Sequence, residues 1–397
     1  MQLEKKVFKI VLTGGPCSGK TTALAILAAR FSEKGYKVIT VPESATTLIS
    51  GFGISPMEYR DNSQWWNYIF QYQMTCQQVA NEMIAEAAAD AYTNADPCRK
   101  VIILCDRGIL DQCAYIDREE LEKGYGEVVN TFTGGTGPVS LDNALARYDA
   151  VIHLVTAAIG ARDSYNLGNK ARSESPELAA DLDRKTMAAW VGHPHLRIVN
   201  NQDKNFQQKM EQVVKEISDV LGDPVPTERE YKYLIKKPTA EQLKEAGAVK
   251  SRIVQTYLRP GPGGEERRVR QRSVFGGHTF FYTEKLPTGK TGERIEREQK
   301  IPAEEYLRLL NEADPTAGVI VKERYCFVYA DQYFELDIYV SGNAGKDRAI
   351  LEIELSEGCD EDVKLPGFIE VIKDVTGDPV YSNYALARAA RRKEAES

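Results

Sequence analysis

Two textures of hydrophobic patterning divide the chain. In residues 1–221, short and nearly continuous apolar runs at Val7–Leu12, Lys37–Val41, Val101–Cys105, Ala150–Val155 and Leu196–Val199 are separated by longer, mainly helical stretches. Unbroken apolarity over five or six residues is expected of a strand covered on both faces, and the alternation with helices predicts a parallel sheet sandwiched between helices. Leu221-Gly222-Asp223-Pro224-Val225-Pro226 then breaks the preceding helix twice, so we place a linker at 222–226 between domains at 1–221 and 227–397.

Beyond the linker the period becomes two, with charge on one alternating face. Glu228, Glu230 and Lys232 share a side, as do Arg268, Arg270 and Arg272, then Glu296 and Glu298, Lys322 and Arg324, Glu335 and Asp337, and Glu352 and Glu354. The opposite positions carry Tyr231, Phe334, Leu336, Ile338, Leu351, Ile353 and Leu355. One such strand would be an ordinary solvated face. Six together predict the lining of a closed antiparallel barrel, where acids and bases must compensate one another or a ligand. A polyanion bridged to the carboxylates by divalent metal satisfies both signs.

The first apolar run leads straight into chemistry. Val7–Thr22 reads VFKIVLTGGPCSGKTT, and Gly14, Gly19, Lys20 and Thr21 fit G-x-x-x-x-G-K-[ST] in the strand, loop, helix order that a phosphate-binding loop requires. Its nucleotide-contacting set is Gly14, Gly15, Pro16, Cys17, Ser18, Gly19, Lys20, Thr21 and Thr22, whose N–H groups converge on phosphate oxygens. Lys20 supplies charge to the β- and γ-phosphates, the Thr21 hydroxyl is placed on Mg²⁺, and the helix from Thr22 to Phe31 turns its positive end to the same anion. Glu43 and Ser44 follow the second strand at the sheet edge where ligands collect, and Asp106 ends the third as a second magnesium ligand. Arg107 either binds an anion or pairs with Asp106.

Four further stretches are less specific. The helix QWWNYIFQYQMTCQQVANEMIAEA carries Trp66, Tyr68 and Phe70 among glutamines, either as core packing or as an acceptor-pocket wall with Gln71 or Gln77 reaching in. Residues 110–147 form an insertion whose TGGTG lacks a preceding strand and a following Gly-Lys, so a flexible substrate-side loop is expected. Arg162, Lys170 and Arg172 precede an acidic amphipathic helix, either as a lid closing arginines over a transferring phosphoryl group or as a solvated basic turn. His193-Pro194-His195 fits a turn better than zinc.

Composition adds limits. Across 397 residues the net charge is −7, hydrophobic residues are 42% and charged ones 27%. That gives no reason to expect nucleic-acid binding, and no apolar run could span a membrane. A charged start running into a strand shows no signal peptide, and seven scattered cysteines without C-x-x-C suit a reduced, cytoplasmic setting.

The first half resembles the P-loop nucleoside-kinase-like ATPases, a group that includes the ribosylnicotinamide kinases, over Val7 to about Val220. Asn169-Lys170-Ala171-Arg172 has arginine where guanine-reading N-K-x-D needs an acid, so Ras-type GTPases match poorly. In the second half, E-x-E-x-K at Glu228, Glu230 and Lys232 resembles the opening signature of CYTH domains, the triphosphate tunnel metalloenzymes. The ordered set Arg270 and Arg272, Lys285, Lys322 and Arg324, Glu335 and Asp337, Glu352 and Glu354 matches too, as does the closing VTGDPVYSNYALA.

The resemblance implies an α/β P-loop NTPase followed by an antiparallel eight-stranded β tunnel with accessory helices. It implies Mg²⁺ or Mn²⁺ on Glu228, Glu230, Glu352 and Glu354, a triphosphate held by Arg270, Arg272, Lys285, Lys322 and Arg324, and a catalytic set of Lys20, Glu43, Asp106, Arg172 and Lys232. The pairing of the halves is similar to the TRPL translocation defect protein 14 family, linked to GTP and phospholipid head groups. The expectation is ATP or GTP on the loop and a triphosphate, polyphosphate or lipid head group in the tunnel. The rival is a nucleotide-switched binder of phosphoinositide or phosphatidic acid, and a class IV adenylyl cyclase is a third reading. The RAARRK tail, Arg388–Lys393, either touches an acidic membrane surface or ends a solvated helix.

Overall fold

A computed structural model describes residues 5–54, 63–136, 139–160, 175–201, 205–222, 229–261, 264–274, 277–287, 294–340, 348–355 and 362–396. They form two compact units, Met1–Leu221 and Gly222–Ser397.

In the first unit, β1 (Val7–Thr13) leads through the glycine loop into α1 (Lys20–Glu33), β2 (Lys37–Val41), the short α2 (Ser44–Thr46) and the long α3 (Ser63–Ala95). Then come β3 (Val101–Asp106), a 3₁₀ turn at Ile109–Ala114, α4 (Arg118–Thr133), α5 (Leu141–Leu145), β4 (Ala150–Leu154), α6 (Pro176–Trp190), β5 (Leu196–Val199) and α7 (Phe206–Leu221). The five strands are parallel in the order β2-β3-β1-β4-β5. β1 is therefore central, and the register Leu12↔Asp106 and Thr13↔His153 brings three carboxyl ends together beneath the loop. Ala23, Leu27 and Phe31 make one face of α1, which packs with Met210, Val213 and Ile217 of α7 over Ile10, Leu12 and Ile152.

The insertion at 110–147 is helical on either side of its glycine-rich stretch. Leu121, Tyr125 and Val128, spaced at the helical period, bury one face of α4, and Gly134 at φ 68° ends it as a left-handed cap. Residues 134–136, from that cap onward, carry no regular structure.

The second unit contains β6 (Arg229–Ile235), α8 (Ala240–Glu245), β7 (Val249–Leu258), β8 (Glu266–Val274), β9 (Gly277–Pro287), β10 (Arg294–Ile301), α9 (Ala303–Leu309), β11 (Ile320–Tyr329), β12 (Gln332–Tyr339), β13 (Ala349–Leu355), β14 (Val371–Asp374) and α10 (Asn383–Glu396). Nine strands, not eight, form one antiparallel sheet in the order β10-β9-β8-β7-β11-β12-β13-β6-β14. The ninth strand lies just before the closing VTGDPVYSNYALA: β14 adds to the outer edge of β6 through a register shift between Val371 and Lys373. Period two sorts the faces as the pattern predicts. Tyr231, Tyr233, Phe327, Phe334, Leu336, Leu351 and Ile353 share an apolar cluster with Leu243 of α8 and with Phe368 and Ile369.

Candidate nucleotide site and charged sheet face

The loop between β1 and α1 is held from behind. Lys20 Nζ donates to Gly14 O at 2.8 Å, Gly15 O at 3.0 Å and Ser18 Oγ at 3.1 Å. Thr156 Oγ1 donates to Pro16 O, Ala157 N to Cys17 O at 3.2 Å, Lys209 Nζ to Ser18 O at 3.3 Å and Ala23 N to Gly19 O at 2.9 Å. Six consecutive carbonyls are thereby accounted for, leaving the loop to present its amides elsewhere. Gly14, at φ 137°, passes so close to Leu154 O that a Cβ would lie 2.1 Å from it.

Burial, then the nearby Arg107 charge, pull the Lys20 ammonium down to about 8, against the opposing pull of Asp106 and Glu43. Asp106 is buried at the end of β3, and its Oδ1 has no hydrogen-bond partner among the described residues. Loss of water pushes its carboxyl up to about 6, with Lys20 opposing. An orphaned carboxylate oxygen beside a phosphate loop is costly unless a cation completes it. The donor set therefore fits Mg²⁺: Asp106 and, at the exposed start of α1, Thr21.

Arg107 pairs with Glu43 rather than with Asp106. Held at φ 71°, it donates from Nε to Glu43 Oε1 at 2.7 Å and from an Nη to Gly14 O at 3.3 Å and Asp111 Oδ2 at 3.4 Å. Burial raises the Glu43 carboxyl, but Arg107 outweighs it and holds the group at about 2. Asp111 also accepts from Thr13 Oγ1 at 2.7 Å and from Trp190 Nε1 at 2.6 Å.

Of the glutamines of α3, Gln77 bonds Asn81 on its own helix at 2.7 Å, while Gln78 reaches inward, accepting from Ser44 Oγ at 2.7 Å and donating to Arg107 O at 3.3 Å. Gln78 also donates to Glu82, which Tyr148, Lys9 and Arg147 hold from three sides. Gln71 is buried with Oε1 unpartnered among the described residues, and Tyr68 lies beside Tyr72 with centroids 6.5 Å apart. The side chain of Trp66 lies outside the described residues, as do Arg162, Lys170, Arg172 and Glu228. His193 Nε2 meets Tyr148 O at 3.1 Å and its Nδ1 takes the His195 amide at 3.1 Å, a tied turn.

In the second unit the charged face is bound into one network. Arg324 donates to both oxygens of Asp337 at 2.7 Å, to Glu335, and to Glu352 at 3.1 Å. Lys322 also donates to Asp337. Lys232 bridges Glu230 at 2.9 Å and Glu352 at 3.3 Å. Burial pulls Lys322 down to about 8, aided by Arg324 and Arg270, whereas Glu352 and Glu230 raise Lys232 against the opposing effect of burial. Loss of water and then Glu352 push Glu230 up to about 7.

On the next strands Arg270 lies 3.5 Å from Glu298, Arg272 donates to Cys326 Sγ at 3.8 Å, and Lys285 stands opposite Glu266 and Glu296 in register. Glu354 is exposed opposite Glu230. The structure thus joins Glu230, Lys232, Glu352 and Arg324 in one chain of contacts, with Lys322 attached through Asp337. Among the described residues no cluster of three or more His, Cys, Asp or Glu is arranged to hold a metal.

A family model described as AAA domain matches residues 9–209, just over half of the chain. The chain belongs to the AAA domain family. The AAA domain covers β1 to the first turn of α7 and so includes the whole phosphate loop and Asp106. No curated protein matches the chain. Among solved structures, the inorganic triphosphatase NE1496 is 26% identical, covering 40% of this chain and 96% of its own, with a TM-score of 0.28. The PH1819 protein from Pyrococcus horikoshii OT3 is 20% identical, covering 34% and 81%, with a TM-score of 0.26. At TM-scores this low neither defines the fold here. No described helix is long and apolar enough to cross a membrane.

Asp111, Asp183 and Lys209 escaped the sequence reading. Asp183 and Lys209 sit on helices, where a charged residue ordinarily faces water, and Asp111 in a short buried 3₁₀ turn; only the fold turns them toward the loop.

Proposed function

We propose that the AAA domain binds a magnesium nucleotide, ATP or GTP, and hydrolyses it or transfers its γ-phosphoryl group. The second unit, on this reading, binds a triphosphate- or polyphosphate-bearing ligand along its charged face. The observation that carries the first part is the buried Asp106 Oδ1, unpartnered among the described residues, beside Lys20 and the amide-lined loop.

Lys20 would exchange the carbonyls of Gly14 and Gly15 for phosphate oxygens and stay on the transferring group as its charge spreads. Thr21 and Asp106 would hold Mg²⁺, which neutralises phosphate charge when bound. Glu43 orients Arg107, keeping its guanidinium over the loop. Arg172 is assigned to the lid and Lys232 to the phosphate-facing set of the second unit, with Glu228, Glu230, Glu352 and Glu354 toward metal and Arg270, Arg272, Lys285, Lys322 and Arg324 toward phosphate.

A second reading, head-group recognition without turnover and of the kind linked to the TRPL translocation defect protein 14 family, is favoured by one observation. Glu352 is already engaged by both Lys232 and Arg324.

The test is metal-dependent orthophosphate release from ATP, GTP and inorganic triphosphate by the full chain, Lys20→Ala and Glu228→Ala. We expect nucleotide turnover to vanish in Lys20→Ala. Triphosphate turnover that survives Lys20→Ala and dies in Glu228→Ala makes the second unit an enzyme; its absence, with phosphoinositide or phosphatidic acid vesicles bound, makes that unit a receptor. Nucleotide release indifferent to Lys20→Ala overturns the first part.

A further inference from the structure

The motif G-x-x-x-x-G-K-[ST] leaves position 15 open, yet the structure does not. Asp183, in the middle of α6, brings Oδ1 to 2.6 Å from Gly15 N, within the range of a strong charge-assisted hydrogen bond. The same oxygen takes Thr156 N at 3.1 Å, and Oδ2 meets His153 Nε2 at 3.2 Å. Asp183 is 1% exposed and His153 fully buried, so water does not compete for these bonds. A Cβ on residue 15 would lie 2.8 Å from Asp183 Cβ, 2.9 Å from its Oδ1 and 3.0 Å from Ala179 O. Gly15 is therefore the residue that lets α6 come close enough to grip the loop.

Thr156 is gripped from both sides. Its amide goes to Asp183 and its hydroxyl to Pro16 O. One carboxylate thus ties three elements: the first turn of the phosphate loop, the segment leaving β4, and α6. Lower on the same helix, Trp190 Nε1 donates to Asp111, which Arg107 also contacts. α6 reaches both the loop and the Arg107 side of the site.

We infer that Asp183 is a positioning residue for nucleotide binding, setting the tilt of the Gly15 peptide and with it the aim of the loop amides that follow. The inference rests on the nucleotide reading of the loop. A carboxylate so near an anion site would repel phosphate if it acted only through charge; its bonds to two backbone amides make alignment the larger effect.

The experiment is titration of a fluorescent ATP or GTP analogue with Mg²⁺ into the full chain and into Asp183→Ala, Asp183→Asn, Gly15→Ala, the Gly15→Ala/Asp183→Ala pair and Lys20→Ala, each checked for folding by thermal melt. Asp183→Ala weakens affinity at least tenfold. Asp183→Asn returns to within threefold, because its amide oxygen accepts from Gly15 and Thr156 while its NH₂ faces the His153 ring. Gly15→Ala reproduces the loss, and the pair loses no more than the worse single variant, as members of one contact do.

If Asp183→Ala does not fold, Gly15→Ala and Asp183→Asn decide: the first must weaken binding and the second must keep it. Unchanged or tighter binding in Asp183→Ala, with binding lost in Lys20→Ala, overturns the inference and leaves the nucleotide reading standing. Additive losses in the pair overturn it as well. A full chain that binds neither analogue overturns both.

Discussion

Arg107 Nε meets Glu43 Oε1 at 2.7 Å, joining the carboxyl ends of β3 and β2 across the phosphate loop. The guanidinium sits in left-handed backbone at φ 71°, a strained conformation that the pair and the Gly14 carbonyl stabilise together.

Glu43→Gln removes the charge that Arg107 answers. With the Glu43 carboxyl held down at about 2, its contribution to stability is complete above the ordinary carboxylate range and is lost as pH falls through that range toward 2. We expect a loss of about 2 kcal/mol at pH 7 that shrinks below pH 4. Urea melts of both proteins at pH 7 and pH 3 check it; an equal gap at the two values rejects it.

Lys20, pulled down to about 8 by burial and Arg107, should regain proton affinity beside a bound polyphosphate. Nucleotide affinity should therefore fall as pH rises above about 8, by up to about tenfold per unit. Titrations from pH 7 to pH 9.5 test this. A flat profile would show that Lys20 is charged throughout.

Asp106→Asn keeps the shape of the β3 end and removes the anion. Chelating Mg²⁺ should lower nucleotide affinity of the wild type at least about tenfold, roughly 1.4 kcal/mol, and change that of the variant little. Equal metal dependence in both would take Asp106 out of the metal site.

Asp337→Asn takes from buried Lys322 the carboxylate it pairs with, and leaves Arg324 with Glu335 and Glu352. Removing one partner of a buried ionic set costs about 3 kcal/mol. The shift should appear in the urea transition and be largely restored by adding Lys322→Met to the variant; no restoration would mean that Lys322 is not the group left unpaired.

Gly108→Ala sets a methyl 2.8 Å from two carbons of the Trp190 ring and 3.1 Å from Val11 Cγ2. Overpacking of that kind costs about 2 kcal/mol, and thermal melts should show it with the charged face of the second unit untouched. A wild-type melting temperature would mean that the indole has room to retreat.

What patterning could reveal is what repeats. Lys37–Val41 and Leu196–Val199 are strands at the bounds their apolarity marks, and Thr13 and Asp106 merely extend two others by one residue. Alternation likewise assigned Lys322, Asp337 and Glu352 to one face. It could not count the strands: Val371–Asp374 is exposed at every position, so it carries no alternation to read. Nor could it pair Arg107 with Glu43, 64 residues away, instead of with its neighbour Asp106. Gln78 was overlooked for Gln77 because neighbouring residues on a helix point about 100° apart, and only the position of β3 shows which direction is inward.

The six carbonyls held behind the phosphate loop have a thermodynamic consequence. A loop that had to organise itself around its ligand would surrender part of the binding energy as lost backbone entropy, about 1 kcal/mol or more for each residue fixed. Here Thr156, Ala157, Lys209 and Ala23 hold four of the six, the carbonyls of residues 16–19, and these ties remain when Lys20 leaves Gly14 and Gly15 for phosphate. An arriving polyphosphate would meet a loop most of whose ordering was completed during folding, so that less of its binding free energy goes into arranging backbone.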